Sequence, residues 1–173
     1  MENIYLIGFM GTGKSTVAKE LAKLLPFRIV EMDETIEMLA GMPISQIFES
    51  KGEETFRIME TQFLNAISKE KNQIISCGGG IVLKEENVEM MRTTGTICLL
   101  DASAKTVYDR INSNPNRPLL KDKKSVDDYK KMMDSRKEAY KNAADIKVNV
   151  DDLTPAEVAS ELVKELALTG RLH

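Results

Sequence analysis

No basic block, no long apolar run and only two cysteines occur in this chain of 173 residues. Without a Lys/Arg cluster, and with a net charge of −3 and a pI near 5.4, the electrostatic footprint of a nucleic-acid binder is missing. The start carries an acidic Glu2 and no basic segment, and no apolar stretch approaches the roughly 18 residues of a membrane span. A membrane partner and a leader are therefore not expected, and the expected location is the cytoplasm. Cys77 and Cys98 each lie inside a short apolar run, which predicts buried free thiols suited to a reducing compartment rather than a disulfide. There is no internal repeat, no low-complexity segment and no exposed apolar helix face, so a monomer is expected. What remains is a chain with 42% apolar and 29% charged residues, long enough to bury the core of one domain.

Short apolar runs alternate with longer helical patterns. Strands are predicted at residues 4–8, 28–32, 73–80, 96–101 and 145–150. After the first, Val17, Leu21, Leu24 and Leu25 fall on one helical face. Helical material runs to about residue 40, Gly41–Ser45 makes a break, and a helix over about 53–70 carries Phe56, Met59, Phe63 and Ile67. Further helices are predicted from Ser103, over about 126–142, and from Pro155. Residues 112–125 have no period, two prolines and many charges, which predicts a surface loop. Five strands alternating with helices predict an α/β fold with a parallel sheet covered on both faces. Ligands of such sheets bind beyond the carboxyl ends of the strands.

Residues 8–15, GFMGTGKS, match G-x-x-x-x-G-K-[ST] between a strand and a helix. The glycines let backbone N–H groups converge on phosphate oxygens at the positive end of the helix dipole. In that pattern Lys14 reaches the β- and γ-phosphates and the Ser15 hydroxyl serves Mg²⁺. The ligand this implies is a nucleoside triphosphate, leaving a switch GTPase, an ATPase motor or a small-acceptor kinase. Neither D-x-x-G nor N-K-x-D occurs, which removes the first. A motor would want an acidic pair after an apolar strand, and Ala102 follows Asp101, which reads better as a helix cap than as a metal-shell residue.

On the acceptor side, Asp33 just past the second strand can take a hydroxyl proton or cap a helix. Arg57 and Glu60, three apart on a helix, read by default as an exposed ion pair. Val126, Tyr129, Met133, Arg136 and Tyr140 are spaced as one helical stripe, so Arg136 sits in an apolar face. A guanidinium there needs either an internal carboxylate or a ligand anion. Gly78, Gly79 and Gly80 follow the third strand, as a simple turn or as bare backbone for close ligand approach.

Six segments in order, GFMGTGKST, MDETIE, IFESKGEETFRIME, CGGGIV, NRPLL and SRKEAY, resemble the shikimate kinase family over nearly the whole chain. The resemblance implies the nucleoside-monophosphate-kinase-like P-loop fold, with five parallel strands in the order 2-3-1-4-5. It implies ATP-dependent, Mg²⁺-assisted phosphorylation of the shikimate 3-hydroxyl in chorismate and aromatic amino acid biosynthesis. It extends over 1–173 as one kinase domain, with a substrate-binding helical segment at about 33–61 and a lid at about 112–125. ATP is expected at Gly11, Thr12, Gly13, Lys14, Ser15, Thr16, Arg110, Arg117 and Pro155, with Arg110 and Pro155 flanking adenine. Lys14, Asp33 and Arg117 take the catalytic roles, Asp33 as base and Arg117 from the lid. Arg57 and Arg136 hold the acceptor carboxylate, with Asp33, Glu60, Gly78, Gly79 and Gly80 in the same pocket. The family's usual Asp-x-Asp is here Glu31-Met32-Asp33, so the outer-shell Mg²⁺ contact falls to a longer Glu31. The alternatives are a gluconate- or nucleotide-kinase-like enzyme, or a nucleotide-binding relative without turnover.

Overall fold

A computed structural model describes residues 2–113 and 124–172. The chain runs β1 (Asn3–Ile7), α1 (Lys14–Leu24), β2 (Arg28–Glu31), α2 (Met32–Ala40), α3 (Ile44–Lys51) and α4 (Glu53–Ile67). It continues β3 (Gln73–Ser76), a 3₁₀ turn (Ile81–Leu83), α5 (Glu85–Thr94), β4 (Gly95–Asp101), α6 (Ala104–Asn112), α7 (Val126–Ala143), β5 (Ile146–Asn149) and α8 (Pro155–Leu168). All strand pairs are parallel, and the order is β2-β3-β1-β4-β5, as the resemblance implied. Every residue of β1 and β3 is buried, which is why Ile4 to Ile7 of β1 read as a continuous apolar run rather than an alternating one.

Register decides where the chemistry gathers. Leu6 of β1 pairs with Ser76 of β3 and with Cys98 of β4, and Glu31 at the end of β2 pairs with the same Ser76. The carboxyl ends of three strands are thus level, and the residues just beyond them (Gly8, Asp33 and Cys77) gather along one edge of the sheet. The main core lies on both faces of the sheet, with Cys77 and Cys98 buried as free thiols. Burial pushes both thiols well above their ordinary range, Cys98 to about 12, so neither is a nucleophile. A second, smaller core of Ile36, Ile47 and Phe56 holds α2, α3 and α4 together as a helical outwork beyond β2. Each such side chain contributes roughly 1.5–3 kcal/mol of burial.

Three expectations need correction. The third strand stops at Ser76, because Cys77 to Gly80 turn away from the sheet and lead into the 3₁₀ turn. The stripe on α1 is Val17, Ala18 and Leu21, and Leu24 is 52% exposed, since the helix ends where it leaves the sheet. Asp101 does not cap α6. Ser103 does, accepting from the Thr106 N–H, while Asp101 pairs with Lys147 at 3.3 Å. Helix α5 has no counterpart in the reading of the sequence, and α3 falls there only within the helical segment at about 33–61 that the resemblance implied. Pro43, part of the expected break, is itself the cap residue that starts α3. Helix α5 buries only Val88 and Met91 as large apolar groups, too sparse a pattern to stand out.

Candidate active site

The phosphate loop is shaped by glycines in conformations closed to other residues. Gly8, Gly11 and Gly13 have φ of 148°, 78° and 93°. A methyl on Gly8 would also meet the Leu100 carbonyl oxygen at 2.5 Å, so the loop can pass β4 only without a side chain there. Gly13 caps α1, and Lys14 and Ser15 are its first residues, where the dipole favours an anion. The Lys14 ammonium arches over the loop, donating to the Gly8 carbonyl at 2.8 Å and the Phe9 carbonyl at 3.1 Å. Arg110 of α6 reaches the same loop, donating from Nη1 to the Thr12 carbonyl at 2.8 Å.

In front of the loop lies a cleft of about 540 Å³, lined by Gly11, Gly13, Lys14, Ser15, Thr16, Lys19 and Arg110 on one side. Glu31, Asp33, Glu34 and Glu37 face them, with Ser76, Cys77 and Gly79 at the back. Thr12 is not among the lining; its hydroxyl turns under the loop to the Phe9 carbonyl at 2.8 Å, so only its backbone could serve a phosphate. Pro155 opens α8 and lies outside the lining as well. Arg117 and most of the 112–125 lid lie outside the described residues.

Ser15 donates from Oγ to Glu31 Oε2 at 2.8 Å, and Ser76 Oγ is 3.5 Å from Ser15 Oγ. A hydroxyl and a carboxylate already in contact form a hard-oxygen donor set of the kind Mg²⁺ takes, since that ion keeps several waters and needs few protein groups. These residues fit the ion. The longer Glu31 reaches Ser15 from the end of β2.

Asp33 is the second residue of α2, not its cap, so its carboxylate is free for other work. It opens to the solvent in the cleft, yet the walls around it remove hydration and raise its carboxyl above the usual range. Lys14 opposes that rise, and Glu37 adds to it. A raised carboxylate is a better proton acceptor.

Behind Gly79 the glycine triplet is packed on three sides by charged groups. A methyl on Gly78 would meet Asp33 Oδ1 at 2.7 Å and Glu60 Oε2 at 2.9 Å. On Gly79 it would meet Arg136 Nη1 at 3.4 Å, and on Gly80 the Arg57 Cζ at 2.5 Å. The triplet is therefore a meeting point for Asp33, Arg57, Glu60 and Arg136 rather than a simple turn. The Arg57–Glu60 pair is not the exposed bridge expected from spacing. Glu60 is fully buried on the α4 stripe between Phe56 and Leu64, and Arg57 donates to its Oε1 at 3.1 Å. Burial raises the Glu60 carboxyl, with the Arg57 charge opposing the rise. Glu60 Oε2 and Arg57 Nε have no hydrogen-bond partner among the described residues, which is costly unless a ligand supplies one.

Arg136 has no carboxylate partner among the described residues; its guanidinium lies 5.9 Å over the Phe9 ring. Among the described residues, then, no internal carboxylate accounts for an arginine on the α7 stripe. Sequence reasoning missed three supports. Ser76 touches Ser15, Phe9 underlies Arg136, and Tyr140 donates its hydroxyl to the Gly79 carbonyl. Tyr140 is visible in the sequence only as a member of an apolar stripe, and nothing there marks its hydroxyl.

The division of charge, cations over the loop and acids across the cleft, suits phosphoryl transfer from a nucleotide to an acceptor. The fold that carries it is the nucleoside-monophosphate-kinase-like P-loop fold. The shikimate kinase family model matches residues 10–167, and the chain belongs to that family. A shikimate kinase of Thermodesulfovibrio yellowstonii is 42% identical over 165 residues, 95% of each chain. The structure of shikimate kinase from Acinetobacter baumannii in complex with shikimate superposes with a TM-score of 0.89 at 30% identity, over 100% of this chain and 96% of that one. The Aquifex aeolicus shikimate kinase gives 0.83 at 37% identity, over 97% of this chain and 98% of that one.

Proposed function

We propose that the protein transfers the γ-phosphoryl group of ATP to the 3-hydroxyl of shikimate, giving shikimate 3-phosphate and ADP, a step toward chorismate and the aromatic amino acids. The observation that carries this is the convergence of Arg57 and Arg136 on the glycine triplet, beside Asp33. A planar carboxylate suits two guanidiniums, and the bare backbone of Gly78 to Gly80 lets an alicyclic ring come close. A gluconate- or nucleotide-kinase-like acceptor site has no need of that pairing against a glycine triplet.

ATP lies with its phosphates on the loop N–H groups and the α1 N-terminus, Lys14 beside the transferred group and Arg110 toward the base. Ser15 and Glu31 would hold Mg²⁺, which would supply charge neutralisation to the phosphates. Arg57 and Arg136 fix the acceptor carboxylate, and Glu60 holds Arg57 and offers its open oxygen to an acceptor hydroxyl. Asp33 then takes the proton of the attacking hydroxyl. Because the transition state is loose, orientation and charge stabilisation outweigh the base. Arg117 adds a further charge from the 112–125 segment, and Pro155 faces the adenine. The enzyme works as a single-domain monomer in the cytoplasm; no described helix is long and apolar enough to cross a membrane.

A coupled assay of ADP release tests the reading with shikimate, gluconate and nucleoside monophosphates as acceptors. Shikimate should stimulate ADP release and the others should not. Equal rates with and without shikimate, or a preference for another acceptor, would refute it.

A further inference from the structure

Behind the phosphate loop lies a second cavity of about 450 Å³, and Lys14, Ser15, Asp33 and Arg110 are all absent from its lining. Its floor is the underside of the loop, Phe9 and Thr12, together with the end of β4 from Leu99 to Asp101. Helix α7 forms the opposite wall through Met133 and Tyr140. The body of the cavity is therefore apolar with two aromatic rings, while its rim is basic. Lys130, Lys137, Lys141 and Lys147 stand there against Asp101 and Asp134. Asp101 is already paired with Lys147 at 3.3 Å, which leaves three lysines to one carboxylate.

The volume falls in the range of sites for small molecules, and apolar walls with a few charged groups are what such sites have. We propose that this cavity binds a planar aromatic carboxylate, its ring on the apolar floor against the edges of Phe9 and Tyr140 and its anion at the α7 lysines. Occupancy is coupled to the acceptor side, because both ring neighbours also serve it. Phe9 underlies Arg136, and Tyr140 donates to the Gly79 carbonyl. A ring packed against both holds them in place and so preorganises the carboxylate clamp. That coupling rests on the acceptor assignment under Proposed function; the binding itself does not.

The probe is 2-naphthoate, followed by isothermal titration calorimetry on the full chain in the presence of ADP and Mg²⁺. One saturable site is expected, with a Kd of about 1 mM or tighter for a ligand of this size. The neutral 2-naphthamide should bind at least about 5-fold more weakly, as should 2-naphthoate to the Lys137→Glu, Lys141→Glu double variant. Ala104→Phe, which fills the rim from α6, should abolish binding while leaving basal turnover within about 2-fold. In steady-state assays, saturating 2-naphthoate should lower the shikimate KM about 5-fold and leave the ATP KM unchanged. No saturable binding, competition with ADP, or binding that ignores both variants overturns the site. Binding as described with an altered ATP KM, or an unmoved shikimate KM, overturns the coupling to the clamp. If shikimate is not turned over at all, the acceptor assignment fails while the calorimetry still decides the site.

Discussion

Replacing Gly80 by alanine perturbs the acceptor clamp without removing any side chain assigned to a ligand. Gly80 has φ −98° and ψ 9°, a conformation alanine can adopt, so backbone strain is not the issue. The added methyl would stand 2.5 Å from both Cζ and Nη2 of Arg57, where ordinary contact starts at 3.4 Å. The guanidinium must move by about 1 Å, and it can, because it is the far end of a flexible side chain. The fold should therefore keep its Tm within a few degrees, each ~1 kcal/mol being worth about 2–4 °C at this size. Function should not escape. Displacements of ~1 Å in a positioning group cost on the order of 100-fold, about 2.8 kcal/mol at ~1.4 kcal/mol per tenfold. The assay is ADP release against shikimate at saturating ATP, then against ATP at saturating shikimate. The expected result is a kcat/KM for shikimate lowered by about two decades, with the ATP KM within about 2-fold. An unchanged shikimate kcat/KM in a folded variant would refute the placement of Arg57 on the acceptor.

Lys14→Met removes the ammonium over the loop and should lower kcat at least about 100-fold, measured by the same assay, with binding of a nucleotide weakened as well. Asp33→Asn should cost about 10²- to 10⁴-fold in kcat. The same change should stabilise the fold near neutral pH. The Asp33 carboxyl titrates above its unfolded value of 3.8, so folded protein binds that proton more tightly. Wild-type stability therefore falls as pH rises from the unfolded to the folded value, and the asparagine variant avoids that loss. Its Tm should exceed wild type above the folded pKa, with the difference fading as pH drops toward about 4. Glu31→Gln keeps the length but removes the charge beside Ser15, and should raise the Mg²⁺ concentration for half-maximal rate; an unchanged titration would remove Glu31 from the metal shell.

Much of the fold was legible because two strong periodicities are present. The continuous apolar runs of β1 and β4 signal a parallel sheet, and the GxxxxGKS segment fixes which strand lies at the ligand edge. The helical outwork was less legible. Helix α3 is short and hangs on Ile47 alone as a buried residue, so no stripe announces it. For the site, residue types placed the phosphate loop and Asp33 from the sequence, but burial inverted the reading of Glu60. Spacing put Arg57 and Glu60 on a helix surface, and only the packing of α4 against the glycine triplet shows that face to be interior. Arg136 went the other way: its anomalous place on an apolar stripe called for an internal carboxylate or a ligand anion, and among the described residues no carboxylate pairs with it. The Tyr140 hydroxyl and the ring of Phe9 were beyond reach, since their roles depend on which backbone carbonyl or guanidinium the fold brings to them.

The most direct measurement is ³¹P NMR of a mixture of the protein, ATP, Mg²⁺ and shikimate. A single new phosphomonoester signal should grow in step with ADP and couple to one ring proton, the one on the carbon bearing the 3-hydroxyl. Growth of inorganic phosphate alone, or a phosphomonoester coupled to a different ring proton, would contradict the assignment of this cleft to shikimate.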